Sequence, residues 1–313
     1  MRDVLRRLLA GEITEDEAVV QLRTLQLDEL GGRARLDLGR FLRRGIPEVV
    51  LASGKSPADA ARLAVAMAER QGQGLVSRMS DAHRASLQDA AAAAGMQVVA
   101  YTDSARVIRA GFSPEPQPGK VGLLTAGTSD VRVADEARMV VESCGLEARL
   151  EADLGVAGLH RFVGPLASTL EWGADVVIVA AGMDGVLPGL VAGLIDVPVI
   201  GLPVSTGYGR GGAGEAALNT MLQSCSTGLV VVNIDNGVGA GAAAVLIAQR
   251  RPRGRSQAAI AKTIAPRIST PKEIGKTARD MSGPAARPKV RAVSTTPTPT
   301  HASSHGKPRR RRP

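Results

Sequence analysis

Apolar and polar positions alternate in blocks from residue 121 to residue 249. Apolar runs of strand length, among them VGLLTAG, ADVVIVAAG and VPVIGLPV, alternate with stretches of helical spacing at 130–144, 158–171, 187–195, 214–224 and 238–249. Uninterrupted apolar strands joined by helices are typical of a parallel sheet that is covered on both faces. The pattern therefore predicts a doubly wound α/β domain over residues 119–249, with ligands bound beyond the carboxyl ends of its strands.

A shorter α/β pattern comes before this block. Thr14 stands three residues before Glu17, which is the spacing of a capping box at the start of a helix. The predicted helices cover 13–27, 57–70 and 81–95, and the predicted strands are VVLA, GLVS and MQVVAY. The proline-rich segment PEPQPGK is typical of a linker. We predict a small N-terminal α/β domain over residues 1–118.

The net charge of +9 is unevenly distributed along the chain. Residues 250–313 hold 17 Lys/Arg and 2 Asp/Glu, so their net charge is +15, whereas the residues before them carry −6. The same segment is rich in Pro, Ser and Thr and has no apolar periodicity, which predicts a basic, disordered tail. The pI near 10.2 therefore describes the tail, and aromatic residues, at 2%, are too scarce to indicate base stacking.

Neither a secretory segment nor a disulfide framework is indicated. The N-terminus has no apolar core of signal-peptide length, and the most apolar long window, 186–204, contains three prolines and Asp196. The two cysteines, Cys144 and Cys225, are too few for a disulfide framework and lack the spacing of metal ligands. We expect a cytoplasmic protein.

A phosphate-binding sequence follows the first strand of the larger domain. In TAGTSD, Gly127, Thr128 and Ser129 present small side chains and backbone N–H groups at a helix N-terminus, which suits a phosphate. The alternative at this position is that Ser129 or Asp130 only caps the helix.

Further candidates lie in short polar segments between strands and helices. His160 and Arg161 begin a helix, where a histidine is more often solvated than functional, and Asp184 is either a general base or a turn residue. A lone cysteine near a helix end is usually a packed side chain, but the small polar neighbours of Cys225 in SCSTG favour an accessible thiol. Cys144 has no such neighbours, and we predict a structural role for it. We expect the remaining motifs, including the segment that contains Cys225, to lie at the cleft formed by the strand ends.

The loop GYGRGG supports a competing hypothesis. It matches the G-x-G-x-x-G fingerprint of dinucleotide-binding folds, and Asp235 ends the next strand, as in a nicotinamide-dependent dehydrogenase. However, the segment from Pro203 to Thr206 separates the strand from the first glycine, and no strand-rich remainder completes a six-stranded fold. The loop therefore indicates a site for a nucleotide phosphate and does not by itself indicate hydride transfer.

Taken in order, TAGTSD, GLHR, ADVVIVAAGMDGVLPGLVAGL, VPVIGLPVSTGYG and the Cys225 segment resemble the aminoimidazole-ribotide carboxylase superfamily. The AGMDGVLPGLVAG and PVSTGYG versions, the cysteine, and the segment from Arg44 to Lys55 are similar to the branch that makes the nickel pincer cofactor of lactate racemase. The resemblance spans residues 36–249. It implies a flavodoxin-like three-layer parallel sheet and assembly into an octamer or another homo-oligomer.

The resemblance also implies a reaction. The substrate would be nicotinic acid adenine dinucleotide, carboxylated on its pyridinium ring with CO2 or bicarbonate and hydrolysed at its phosphoanhydride with release of AMP. Cys225 would be the nucleophile, and Asp184, where the family usually has glutamate, would be the base. The implied substrate-binding residues are Gly127, Ser129, Asp130, His160, Arg161, Gly182, Ser205 and Gly207. No organic cofactor is implied, and a divalent metal (Mg²⁺) is an option for the hydrolytic step.

Two other hypotheses remain. An aminoimidazole-ribotide carboxylase or mutase of purine biosynthesis would use the same fold on a different substrate, and it would need neither Cys225 nor residues 1–118. A nucleotide-binding regulator would use its basic tail to contact nucleic acid or a membrane. For the leading hypothesis the expected partners are the nucleotide, CO2 or bicarbonate and other copies of the chain. We expect no membrane partner, and contact with nucleic acid only non-specifically through the tail.

Overall fold

The computed structural model describes residues 2–24, 27–30, 34–37 and 39–250, so the predicted tail lies outside the described residues from residue 251 onward. The N-terminal part contains α1 (Arg2–Leu9), α2 (Glu15–Thr24), β1 (Leu27–Leu30), β2 (Ala34–Asp37), α3 (Arg40–Arg44), β3 (Val49–Leu51), α4 (Pro57–Gln71), β4 (Gln73–Ser77), α5 (Asp81–Ala93), β5 (Gln97–Ala100) and β6 (Ala105–Ile108). The second part contains β7 (Lys120–Thr125), α6 (Val131–Ser143), β8 (Glu147–Glu151), α7 (His160–Glu171), β9 (Val176–Ala181), α8 (Val186–Ala192), β10 (Val199–Pro203), α9 (Glu215–Leu222), β11 (Leu229–Val231) and α10 (Gly237–Arg250).

Strands β7 to β11 form one parallel sheet in the order β11-β10-β9-β7-β8. The first strand of this sheet therefore lies between the second and the third, which is the order of flavodoxin-like folds. Every residue of β9 and β10 is buried, as expected for strands that are apolar on both faces. The flavodoxin-like, three-layer fold predicted from the sequence is confirmed.

Helices cover both faces of this sheet. On one face, Val140 of α6 and Ala244 of α10 belong to a buried cluster with Ile178 of β9. On the other face, Phe162 of α7 and Leu187 of α8 belong to a second buried cluster. Burial of each large apolar side chain contributes about 1.5–3 kcal/mol, so these clusters hold the three layers together. Among the described helices, none combines the length and the apolar character needed to cross a lipid bilayer.

The N-terminal part has its own four-stranded sheet in the order β3-β4-β6-β5. Strands β3 and β4 are parallel, whereas β6 runs antiparallel to both of its neighbours. The sequence pattern does not predict β6, because the charged Arg106 interrupts its apolar run. The Arg106 side chain is nevertheless buried, and its Nη2 donates to Oε1 of Gln73 at 3.0 Å.

The capping box predicted at Thr14 is confirmed. The backbone N–H of Glu17 donates to Oγ1 of Thr14 at 3.2 Å, and the backbone N–H of Thr14 donates to Oε2 of Glu17 at 2.8 Å. The bond from the Thr14 backbone is the main reason why the pKa of Glu17 is lowered. Helix α2 ends at Thr24, three residues before the end that the sequence predicts.

Polar contacts along α6 join the four-stranded sheet to the larger domain. Nε2 of Gln73 donates to the backbone oxygen of Ser143 at 2.8 Å, and the Tyr101 hydroxyl donates to Oε2 of Glu142 at 2.6 Å. Burial raises the pKa of Tyr101. Cys144 at the end of α6 is buried too, which raises the pKa of its thiol to about 11 and keeps it protonated at neutral pH, as a structural role requires.

Close packing of α10 on α6 requires a glycine at position 241. A methyl group added there would lie 2.6 Å from the backbone oxygen of Ala137 and 2.9 Å from Cβ of Val140. We expect Gly241→Ala to reduce the free energy of unfolding by about 1–3 kcal/mol, the usual effect of overpacking. Urea denaturation followed by circular dichroism measures this.

Gly193→Ala is the matched control. Gly193 is exposed, has helical backbone angles (φ −73°, ψ −12°), and its added methyl would have a nearest neighbour at 3.6 Å. We expect a gain of up to about 1 kcal/mol from the reduced entropy of the unfolded chain. Equal effects of the two substitutions would contradict the packing of α6 against α10.

Candidate functional site

Four loops meet beyond the carboxyl ends of β7 to β10. We call the region that they form the carboxyl-end cleft: residues 126–130 after β7, 152–159 after β8, 182–185 after β9 and 204–214 after β10. The chain leaves β7 toward β8 on one side, whereas β9 lies on the other side of β7. Such a switch point opens a crevice between the first and third strands, where flavodoxin-like folds bind ligands.

Asp130 lies at this switch point with a buried side chain. Its Oδ2 accepts the backbone N–H of Gly127 at 2.9 Å, and its Oδ1 accepts the Thr206 hydroxyl at 2.7 Å. Burial raises the pKa of Asp130, the charge of Asp235 adds to the increase, and the two hydrogen bonds oppose it. A carboxyl with a raised pKa in a cleft is a candidate for proton transfer.

Two glycines allow the loops after β9 and β10 to come close to Asp130. A side chain at Gly182 would collide with the Thr206 hydroxyl and come within 3.0 Å of Oδ1 of Asp130. A side chain at Gly207 would collide with the backbone oxygen of Gly182. Gly182 of the AGMDG motif and Gly207 of the STGYG motif therefore allow the two loops to come into contact. They also leave backbone groups near the cleft.

The loop after β10 is also held from the end of β11. The backbone N–H of Ser205 donates to Oδ1 of Asp235 at 2.9 Å, and the backbone N–H of Asp235 donates to the oxygen of Pro203 at 2.9 Å. Asp235 has a φ of 55°, which non-glycine residues seldom adopt. These bonds fix the backbone that leads into Thr206 and Gly207.

The remaining sequence-predicted residues of this edge are exposed. Asp184 accepts the backbone N–H of Val186 at 3.3 Å and so caps the start of α8. His160 begins α7, and the Arg161 guanidinium lies 3.3 Å from both carboxylate oxygens of Asp153. Ser129 is exposed in the turn before α6. None of these side chains is buried in the way that Asp130 is.

Cys225 lies at the opposite edge of the sheet, so the expectation that it shares the strand-end cleft is wrong within one chain. Its side chain is exposed, as expected, but it precedes β11. The oxygen of Gly228 accepts the N–H of Val199, the first residue of β10. The length of β10, about 13 Å at ~3.3 Å per residue, therefore separates this loop from the cleft.

Sequence reasoning missed Thr206 and assigned Asp235 only to the dehydrogenase hypothesis. Thr206 belongs to the PVSTGYG motif, and its hydroxyl beside a glycine loop is a signal of a functional role. Its partner Asp130, however, is 76 residues away in the sequence. The dehydrogenase hypothesis is not favoured by the sheet, because the described strands give a five-stranded flavodoxin-like order. Within the described ranges, no group of three or more His, Cys, Asp or Glu side chains could hold a metal ion.

Comparison with known proteins gives two family matches that together span the four-stranded and the five-stranded sheet. The AIR carboxylase family matches residues 120–265, and the LarB/PurE-like N-terminal domain matches residues 27–112. An uncharacterized protein of Methanocaldococcus jannaschii is 38% identical over 251 residues, which are 80% of this chain and 97% of that protein. The N5-carboxyaminoimidazole ribonucleotide mutase of Thermotoga maritima is 28% identical over 41% of this chain and 74% of its own length. A crystal structure of a Treponema denticola PurE2 variant, 18% identical, covers 53% of this chain and all of its own with a TM-score of 0.36.

We expect Thr206→Val to raise the pKa of Asp130 further, because a hydrogen bond that stabilises the carboxylate is lost while the side-chain shape is kept. Since the pKa in the folded protein lies above that in the unfolded chain, the folded state binds this proton more tightly. That contribution to stability is complete below the unfolded-state pKa and is lost as pH rises through the folded-state pKa. In Thr206→Val the loss should therefore extend to higher pH.

Carbon NMR of ¹³C-labelled aspartate carboxyls measures this titration directly. Ser129→Ala is the control, since Ser129 is exposed and lies next to Asp130 in the chain. A pKa of Asp130 that is unchanged in Thr206→Val would show that the Thr206 hydroxyl does not stabilise the carboxylate.

Proposed function

Because the chain belongs to the AIR carboxylase family and carries a LarB/PurE-like N-terminal domain, we propose that it carboxylates the pyridinium ring of nicotinic acid adenine dinucleotide. It would also hydrolyse the phosphoanhydride of this substrate and release AMP. The product is pyridinium-3,5-biscarboxylic acid mononucleotide, the precursor of the nickel pincer cofactor. The observation that carries the proposal is an exposed thiol, Cys225, in a chain whose carboxyl-end cleft holds a buried carboxyl, Asp130, with a raised pKa.

The reaction needs a nucleophile that also leaves. A pyridinium ring is electron-poor, so its carbon 5 does not attack CO2. Addition of the Cys225 thiolate to carbon 4 moves an electron pair into the ring and makes carbon 5 an enamine carbon, which forms the new C–C bond. A base then removes the proton of carbon 5, and expulsion of the thiolate restores the aromatic pyridinium. A thiolate adds and leaves more readily than an alkoxide, which explains the use of cysteine.

Two carboxyl groups compete for the role of the base. The resemblance assigns it to Asp184, but Asp184 is exposed and caps α8. Asp130 is buried, and its raised pKa is closer to neutral pH, where a general base is most effective. We propose that Asp130 removes the proton of carbon 5, and Asp184 is the alternative base.

Substrate binding uses the other groups of the cleft. The anionic phosphates and carboxylate of the dinucleotide suit the backbone N–H groups of the loop from Ser205 to Gly212 and of the turn that contains Gly127 and Ser129. His160 and Arg161 at the start of α7 supply cationic or hydrogen-bonding groups at the β8 side. No step is assigned to Mg²⁺, because the described residues include no group of three or more His, Cys, Asp or Glu side chains that could hold a metal ion.

The cysteine and the cleft are brought together by a second copy of the chain. Exposed apolar side chains occur in the elements before and after the Cys225 loop and on and just after α8: Leu190, Leu194, Leu222 and Val230, with Leu222 62% exposed. Others lie at the carboxyl-end cleft: Leu159, Met183 and Tyr208, with Tyr208 77% exposed. Apolar surfaces at both ends are typical of interaction sites. A contact between unlike ends of two copies is head-to-tail, and such contacts form a closed ring when the rotation between copies closes, as the expected homo-oligomer requires.

Mixed oligomers test the mechanism and its geometry together. Cys225→Ala and Asp130→Asn should each abolish carboxylation, since one lacks the nucleophile and the other the base. When the two variants are co-assembled in equal amounts, about a quarter of the head-to-tail contacts pair an intact Cys225 with an intact Asp130. We expect roughly that share of the parent activity to return, measured as the carboxylated mononucleotide by mass spectrometry.

Each variant alone at the same total concentration is the control, and the pair Cys225→Ala with Asp184→Asn compares the two carboxyls. An active Asp130→Asn beside an inactive Asp184→Asn would transfer the base role to Asp184. A fully active Cys225→Ala would contradict the covalent mechanism.

A second candidate function is that of an N5-carboxyaminoimidazole ribonucleotide mutase. The similarity to the Thermotoga maritima mutase over 127 residues favours it. This reaction needs no cysteine adduct, so turnover of carboxyaminoimidazole ribonucleotide that persists in Cys225→Ala would support it over the pyridinium carboxylase.

A further inference from the structure

Arg78, at the end of β4, contacts the backbone behind the carboxyl-end cleft. Its Nη2 donates to the backbone oxygen of Asp235 at 2.6 Å. Asp235 in turn accepts the backbone N–H of Ser205 at 2.9 Å. Two hydrogen bonds therefore connect a side chain of the N-terminal sheet to the first residue of the Ser205–Gly207 segment.

Both residues of the first contact have unusual backbone angles. Arg78 has a φ of 56° and Asp235 a φ of 55°, in the left-handed region that side chains other than glycine seldom occupy. Such conformations persist only where the surrounding contacts fix them, and they concentrate at functional sites. Here the contacts that fix the two backbones are the hydrogen bond between Arg78 and Asp235 and the contacts with neighbouring residues on α6 and α10.

Glu136 of α6 holds the Arg78 guanidinium in place. Its buried carboxylate lies 3.6 Å from Nε of Arg78 and accepts the Ser77 hydroxyl at 2.6 Å. The backbone N–H of Val238, in the first turn of α10, donates to the second oxygen of Glu136 at 3.1 Å. Glu136 therefore fixes the end of β4 and the start of α10 on either side of Asp235.

We propose that Arg78 is a positioning residue for the carboxyl-end cleft: its guanidinium fixes Asp235, and Asp235 fixes the Ser205–Gly207 segment. This gives the N-terminal domain a role in the reaction, because among the described residues the cation on the Asp235 carbonyl comes from the N-terminal sheet. The inference rests on the proposed function only in assigning Ser205 and Gly207 to substrate binding; the positioning itself is measured without substrate.

A small cavity beside Arg78 makes chemical rescue feasible. It has a volume of about 60 Å³, and its lining includes Asp103, Glu136 and Asp235 together with Arg78 and Arg132. Removal of the Arg78 side chain would enlarge the cavity and leave three acidic residues and one arginine in its lining. Such a site attracts a small cation that can donate hydrogen bonds in a plane, as guanidinium does.

Hydrogen–deuterium exchange of the full chain tests the proposal. Two variants are compared: Arg78→Gly relieves the left-handed backbone, and Arg78→Lys keeps the charge. In both, the peptide containing Ser205 should exchange at least about tenfold faster, as expected when a charge-assisted hydrogen bond is lost. Arg109→Ala is the matched control, since Arg109 also donates to a backbone oxygen, that of Glu69, but within its own domain. The control should exchange like the parent.

Added methylguanidinium should restore the slow exchange in Arg78→Gly, whereas methylammonium should not. In the carboxylation assay, kcat/KM of Arg78→Lys should fall about tenfold, with Arg109→Ala unchanged. Parent-like exchange of the Ser205 peptide in both Arg78 variants would overturn the proposal, whatever the reaction of the protein. Faster exchange together with no carboxylation by the parent protein would instead refute the proposed function and leave the positioning role standing.

Discussion

The hydrogen bond between Thr206 and the buried carboxylate of Asp130 connects the loops that the flavodoxin-like strand order brings together. Its two protein donors, the Thr206 hydroxyl and the Gly127 N–H, are uncharged, so burial outweighs them and raises the pKa of Asp130. The bond also requires glycine at position 182, because any side chain there would occupy the space of the Thr206 hydroxyl. The glycine content of the motifs and the acid–base candidate thus follow from one contact, which the strand order makes possible.

That constraint reaches beyond the sheet of β7 to β11. Asp235 contributes to the raised pKa of Asp130 and holds the backbone of Ser205, and it is itself held from the N-terminal sheet through Arg78. The opposite end of the sheet carries the exposed Cys225 among apolar side chains. The two halves of the proposed chemistry therefore lie at opposite edges of one chain, and our proposal combines them through association of copies. Assembly is in this view a requirement of the reaction and not an addition to it.

The sequence predicts the larger sheet well because its signals are local. The apolar run in β9 and the capping box at Thr14 follow from neighbouring residues, and both are confirmed. Strand β6 is not predicted because a charged residue, Arg106, interrupts it, and the hydrogen bond that allows Arg106 to be buried is accepted by Gln73, 33 positions away. The contacts of Asp130 with Thr206 and of Arg78 with Asp235 join residues 76 and 157 positions apart, which no local pattern contains.

The position of Cys225 is a different case. A residue between a helix and the next parallel strand lies at the amino end of the sheet. The order of the predicted elements is therefore sufficient to place Cys225 there. The small polar neighbours of Cys225 indicate an accessible thiol, which is confirmed. They carry no information about the edge of the sheet on which the residue lies.

The most direct test of the account is to incubate the full protein with nicotinic acid adenine dinucleotide and ¹³C-labelled bicarbonate and to read the product masses. We expect AMP and a pyridinium mononucleotide that carries one labelled carboxyl group, both dependent on Cys225. Release of AMP without label, or turnover of carboxyaminoimidazole ribonucleotide in place of the pyridinium substrate, would contradict the account.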